Sequence, residues 1–188
     1  MDNAYSEVCY EGYQPRSILE FEGAKDIAIE FNSLSKAFNM TGWRVGMAVG
    51  NADAVQSLGI IKTNIDSGVF KAIQETAIIA LESDQAFIPE QNKLYQERRD
   101  IIVDGLNELG WNLDKPKATF YIWAPVPNGM RSDEFTMFLL EKTGILVVPG
   151  TGYGDNGEGY FRISITTSTD LLRDAITRLK EHQISYSS

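Results

Sequence analysis

Between Asp26 and Gly50 the chain reads as strand, turn and strand, and the turn carries a lysine. Asp26-Ile27-Ala28-Ile29-Glu30-Phe31 alternates in part and is rich in strand formers, which predicts a buried or half-buried strand. Trp43 to Val49, carrying Val45, Met47, Ala48 and Val49, predicts the next strand, ending at Gly50-Asn51. Lys36 lies between the two among Ser33, Leu34, Ser35, Ala37 and Phe38, with Glu30 as its nearest acidic residue. Most lysines occupy solvated faces, because a hydrated ammonium resists burial. Apolar company favours the neutral amine, which attacks carbonyls; a lysine that only snorkels from a loop is the competing reading.

Composition narrows the classes. The 188 residues, 43% hydrophobic and 23% charged, suit an ordinary globular protein with one or two modest cores. A net charge of −9 disfavours nucleic acid and anionic membrane surfaces as partners. No apolar run approaches the roughly 20 residues of a membrane helix, and no basic segment followed by an apolar core opens the sequence, so cytoplasm is the default expectation. One cysteine, Cys9, and one histidine, His182, argue against an intrachain disulfide, a Cys/His metal site and a histidine-based triad. His182 reads as a surface residue of a terminal charged helix.

Helices are predicted from Asp53 to about Ile65, from about Lys71 to Leu81 and from Pro89 to Gly110. Val55, Leu58, Ile61 and Ile65 in the first, and Ile73, Ala77, Ile78 and Leu81 in the second, read as core faces. Leu94, Ile101, Ile102, Leu106 and Leu109 form the apolar side of the third, with Glu97 to Asp100 as its solvated charges. Short elements follow: a strand from Ala118 to Val126, a helix opened by Ser132-Asp133-Glu134 and stopped at Gly144, and a strand from Ile145 to Val148. Tyr160 to Ile165 reads as a strand, and Ser168 or Thr169 caps a last helix with Leu171, Leu172, Ala175, Ile176 and Leu179 as its stripe. Gly150-Thr151-Gly152-Tyr153-Gly154 resembles a phosphate loop only in composition. Acidic residues and further glycines follow it where a helix should begin, so it reads as a tight connection.

Ser33-x-Ser35-Lys36 followed by Met40-Thr41-Gly42-Trp43-Arg44-Val45-Gly46 resembles the cofactor-lysine segment of class I/II, fold-type I aminotransferases, which use pyridoxal 5′-phosphate (PLP). The resemblance implies that Lys36 bonds the cofactor aldehyde, while the Ser33 hydroxyl and the Arg44 guanidinium hold its phosphate. Asp2-Asn3-Ala4-Tyr5 is similar to a D-x-A-Y segment of that family, which places Asp2 at the pyridine nitrogen and Tyr5 at the phenolic oxygen. Tyr160-Phe161-Arg162-Ile163 is similar to the segment whose arginine binds the substrate α-carboxylate. The alternative for Arg162 is an ordinary solvent-facing strand residue. Ser67-Gly68 through Gln74 suggests the LL-diaminopimelate and alanine/aspartate branch.

The resemblance implies an α/β fold: a remnant of the PLP-transferase large-domain sheet over residues 1–88, then a smaller α+β C-terminal domain over residues 89–188. It further implies a C-terminal half, lacking the glycine-rich phosphate turn and the ring-stacking aromatic, with exposed sheet edges and apolar faces. Asp2, so near the start, is expected to fray unless tied down. The implied activity is transfer of an amino group between an amino acid and a 2-oxo acid, by a homo-oligomer, with a dimer as the family pattern. A non-catalytic folded remnant or self-associating module is the alternative, and a lyase or condensing enzyme of the same fold type a further one.

Overall fold

In the computed structural model, which describes residues 1–127 and 129–187, the strand before Lys36 begins at Ile29 instead of Asp26. Ala24–Ile27 form a short helix, α1, and β1 spans Ile29–Ser33. Gly23, at φ +74°, turns the chain into α1, and the Ala28 N–H closes on the Ala24 carbonyl, so the first half of the predicted strand is spent in a helical turn. β2 (Gly46–Gly50) pairs antiparallel with β1, Phe31 opposite Ala48. Thr41–Trp43, predicted in part as strand, form a 3-10 turn.

The chain divides into two compact units, Met1–Asn92 and Lys93–Ser188. In the first, α2 (Leu34–Ala37) follows β1 directly, and α3 (Ala52–Ile65) and α4 (Lys71–Glu82) follow β2. The helix positions agree with the sequence, but the expected burial does not. No described residue of α3 is buried, Ala77 is the buried one of α4, and Ile61, Ile65, Ile78 and Leu81 stand exposed. Periodicity marks which face of a helix is apolar, and says nothing of whether anything covers it. One apolar cluster of this unit joins Leu34, Met40 and Ala77, with Phe38, Val45, Met47 and Ala80 packed against them, and Val8, Tyr10, Ala24, Ala37 and Ile88 are buried as well.

α5 (Phe87–Glu108) contains the division between the units. Pro89 sits in its first turn, where a missing N–H costs no intrahelical bond. In the second unit α5 buries Tyr95, Arg99, Ile102, Val103 and Leu106, while Leu94 is exposed. Arg99 therefore overturns its place in the predicted solvated face: it is 0% exposed. Its guanidinium donates to the Asp100 carboxylate at 2.9 and 2.8 Å and to the Pro116 carbonyl at 2.9 Å, the pairing a buried cation requires.

The sheet of the second unit runs β3 (Tyr121–Pro125), β5 (Tyr160–Ser164), β4 (Val148–Pro149), with the central strand antiparallel to both neighbours. α6 (Ser132–Thr143) and α7 (Thr169–Glu181) supply Phe135, Leu139, Leu172, Ile176 and Leu179 to the core beside Phe161 and Ile122. Gly144 ends α6 at φ +72°, as its left-handed stop predicts. Ser132 does not cap α6. It is the first helical residue, fully buried, and its hydroxyl accepts from the Gly159 and Tyr160 N–H groups at 2.9 and 3.2 Å. Ser168 caps α7 by accepting from the Leu171 N–H.

The glycine-rich connection holds two 3-10 turns, Gly150–Tyr153 and Asp155–Gly157. A Cβ on Gly150 would lie 2.0 Å from the Gly157 carbonyl oxygen, and one on Gly157 equally close to that of Gly150. Glycine is required at both because two backbones touch, which accounts for the motif without a phosphate. Among the described residues no helix is long and apolar enough to cross a membrane.

Candidate functional site

Lys36 is delivered by β1 through the single turn of α2. The Ser33 hydroxyl accepts from the Ser35 N–H at 3.2 Å and so caps that turn, which leaves its own O–H proton free to donate elsewhere. Lys36 is half-buried, between buried Ser35 and Ala37, and its Nζ stands 5.7 Å from the centroid of the Tyr5 ring. The Thr41 hydroxyl donates to the Ser35 carbonyl at 2.9 Å, tying the next turn to the lysine turn. Arg44 closes that turn in the left-handed region, at φ +53°, and its exposed guanidinium donates through Nη1 to the Thr41 carbonyl at 3.0 Å.

Asp2 does not fray. It forms a parallel bridge with Phe31 of β1, fastened by three backbone bonds: Asn3 N–H to Phe31 O at 2.8 Å, Phe31 N–H to Met1 O at 2.9 Å, and the terminal ammonium to Ile29 O at 2.7 Å. The strand that leads to Lys36 is thus also the strand that positions Asp2. Asp2, Tyr5, Ser33, Lys36 and Arg44 all belong to the first unit, and the contacts above link them through β1 and its following turns.

One residue of this region gives no signal in the sequence. Glu30 reads as a polar residue on an alternating strand, yet it is 4% exposed. Its Oε1 accepts from the Asn3 and Asn32 side chains at 3.0 and 3.1 Å, and its Oε2 from the Ser17 hydroxyl at 2.8 Å and the Ile18 N–H at 3.0 Å. Burial pushes its pKa up, but these four donors together outweigh that and lower it from 4.5 to about 2.

Arg162 lies in the second unit, on β5 opposite Trp123. It is half-buried, not a free strand residue: its guanidinium carbon is 3.8 Å from the Tyr121 ring centroid and 4.5 Å from that of Tyr153. Trp123 stacks on Tyr160 at 5.7 Å and meets Tyr153 edge-on at 5.8 Å. Rings at these distances hold a guanidinium through its π face, and the in-plane N–H fork is what a carboxylate uses. The period-two pair Tyr121 and Trp123 is visible in the sequence, but only the fold shows that Tyr121, with Tyr153, walls Arg162.

The model for aminotransferase class I and II matches residues 1–179. The chain belongs to the class I and II aminotransferases. It is 58% identical over 186 residues to LL-diaminopimelate aminotransferase 2 of Trichormus variabilis, an alignment covering 99% of this chain and 48% of that protein. It is 55% identical over 179 residues to LL-diaminopimelate aminotransferase of Moorella thermoacetica, covering 95% and 46%. Among solved structures, an aminotransferase from Staphylococcus aureus superposes with a TM-score of 0.92 at 39% identity, covering 99% of this chain and 49% of that one. The fold is the α/β fold of this family, and the chain spans about half the length of the curated relatives it matches.

Two other concavities in the second unit offer no competing chemistry. The larger, about 710 Å³, runs along α5 beside Arg173 and Ile176, and its acidic residues are committed to pairs such as Glu97–Arg173 and Asp104–Lys115. The other, about 330 Å³, is walled mainly by aliphatic side chains, among them Leu146, Leu171 and Leu179.

Proposed function

We propose that this chain carries PLP-dependent amino transfer between an amino acid and a 2-oxo acid. The observation that carries the reading is the placement of Lys36, half-buried beside the Tyr5 ring, at the end of the strand to which Asp2 is bridged. The donor set fits the cofactor: an amine for its aldehyde, the Ser33 hydroxyl and Arg44 guanidinium for its phosphate, a phenol at Tyr5 and a carboxylate at Asp2 for its ring. When bound, PLP supplies the electron sink for the bond broken at the substrate α-carbon.

The chain's own groups do the rest. With PLP bound, Lys36 Nζ would be the group that holds its aldehyde carbon, and the same amine would be the base that takes the α-proton from the substrate carbon. Asp2 would hold the cofactor's pyridine nitrogen in its protonated form, and Tyr5 would donate to its phenolic oxygen. Arg162 holds the substrate α-carboxylate through its fork while Tyr121 and Tyr153 limit its movement. The names of the relatives support LL-diaminopimelate as the amino donor to try first. We place the reaction in a homo-oligomer and in the cytoplasm.

The test mixes the chain with PLP. A visible absorption band that Lys36→Ala abolishes supports the reading, and a folded chain with no band sinks it. Where a band forms, product analysis with LL-diaminopimelate and 2-oxoglutarate separates amino transfer from elimination or condensation. Arg162→Ala should then lower kcat/KM by about 10–100-fold, the loss of a charge-assisted pair. The exposed apolar residues of α3 and α4 favour one second reading, a self-associating module without turnover, and a folded, oligomeric chain that shows no band would select it.

A further inference from the structure

Beyond the groups assigned above, the first unit holds a buried carboxylate with no part in the chemistry. Glu30 sits on β1 between Ile29, whose carbonyl takes the terminal ammonium, and Phe31, whose backbone bridges Asp2. Its four hydrogen-bond donors, the Asn3, Ser17 and Asn32 side chains and the Ile18 N–H, are neutral and come from three separate stretches of chain. A carboxylate suits this place because it only accepts, so both oxygens can serve two donors at once. An amide would set its own NH2 group against donors on one side.

Asn3 is held twice. Its backbone N–H donates to Phe31 O, and its side chain reaches the neighbouring Glu30. The backbone bridge is local, and a slip of one residue along β1 would turn Asp2 toward the other face and displace Tyr5 from Lys36. The Asn3–Glu30 bond selects one register among those the backbone accepts.

We propose that Glu30 is a positioning residue that locks the register of the Met1–Tyr5 segment on β1 through Asn3, and so sets Asp2 and Tyr5 relative to Lys36. The consequence for the cofactor rests on the function proposed above; the register lock does not. Glu30 touches neither substrate nor cofactor in this role. The lock gives the Met1–Tyr5 segment a polar, partly buried fastening beside its backbone bridge.

The experiment compares Glu30→Gln, Asn3→Ala and Ser17→Ala with the unaltered chain. Ser17→Ala removes a donor from the oxygen that Asn3 does not use, so it reports loosening of the cluster without loss of register. Without PLP, amide exchange at Asn3 and Phe31 should quicken about tenfold in Glu30→Gln and Asn3→Ala and change less than twofold in Ser17→Ala. With PLP, the affinity read from the absorption band should weaken about tenfold in the first two variants and stay within twofold in the third, the band itself still requiring Lys36. Equal losses in Ser17→Ala and Asn3→Ala would overturn the register lock and leave Glu30 a stabiliser only. Unchanged exchange at Asn3 in Glu30→Gln would overturn it as well. If Glu30→Gln fails to fold, Asn3→Ala decides the same question. If the unaltered chain gives no band, the cofactor reading fails, and the exchange rates alone decide the lock.

Discussion

The two units are held together by different means. The second closes on an apolar core, in which Phe135, Phe161, Ile122, Leu139, Leu172 and Leu179 are all buried between a three-stranded sheet and two helices. The first has an apolar cluster around Leu34, Met40 and Ala77 and also buries Val8 and Tyr10, yet it leaves Ile65, Phe70 and Ile79 exposed at 78%, 73% and 68%. On the proposed register lock, its Met1–Tyr5 end is ordered by the buried carboxylate of Glu30 and the backbone bridge at Phe31. Apolar burial is non-directional and tolerates small errors of placement. A hydrogen-bonded cluster is directional, so it suits the unit that, on the proposed function, holds Asp2, Tyr5 and Lys36 in register.

The contrast is broken most directly by removing one large side chain from each core. Phe135 is 1% exposed and its ring lies 5.0 Å from that of Phe161, so Phe135→Ala should cost about 3–5 kcal/mol. Leu34→Ala should cost about 2 kcal/mol, at the low end for its type, because the Phe38, Val45 and Met47 side chains around it are only partly buried and can relax into the space. Amide exchange resolved along the chain measures both. Equal costs would mean that the Leu34 cluster is packed as tightly as the second unit's core.

Acid gives the second test. The Glu30 carboxyl is held at about 2 against an ordinary 4.5, so the folded form favours its ionised state. Its contribution is present in full above pH 4.5 and is lost as pH falls from there through about 2. Protection of the Asn3 and Phe31 amides should therefore fall over that window, and Glu30→Gln should remove the dependence. A Glu30→Gln chain that keeps the same acid profile would assign the loosening to other carboxylates.

These tests follow the line between what the sequence shows and what only the fold shows. Lys36, Ser33 and Arg44 are legible because their relation is local: a strand, a capped turn and a second turn fix them within a few residues. Arg162 is legible as a residue, but its tyrosine walls come from β3 and the loop after β4, and strand register is not written in either stretch alone. Glu30 and Arg99 were hidden by the rule that charges face water, which fails where enough donors or acceptors meet the charge. The core faces of α3 and α4 went wrong for a third reason. Amphipathic spacing is a property of the helix, whereas burial belongs to its surroundings.

Helix caps offer a smaller and more even comparison. Ser168→Ala removes the cap of α7 and should cost about 1 kcal/mol, with the buried stripe of Leu172, Ile176 and Leu179 holding the rest of the helix. Asn51→Ala also costs about 1 kcal/mol, since Asn51 accepts from the Ala54 N–H and donates to the Asp26 carbonyl. The difference lies in where protection is lost. α3 buries no described side chain, so loss of its cap should speed exchange along its length, while α7 should fray only in its first turn. Matching, local fraying in both would show that α3 has support besides its cap.

The smallest effect is expected where the sequence misleads most. Ile79 lies on α4 with 68% of its surface exposed, so Ile79→Lys should change stability by less than about 0.5 kcal/mol. Lysine and isoleucine differ little in helix propensity, and an exposed lysine keeps its hydration. A covered isoleucine behaves otherwise, because the same substitution would place an unpaired ammonium in an apolar contact. Denaturant unfolding at two protein concentrations separates the cases. A midpoint that is insensitive to both the substitution and concentration shows that this face of α4 contributes nothing to the first unit's stability. A loss above about 2 kcal/mol that grows with concentration would show, by mass action, that this face is buried against a second copy. The contrast between the units would then describe only the separated chain, and the apolar spacing of α3 and α4 would have been a sound guide to burial in the assembly.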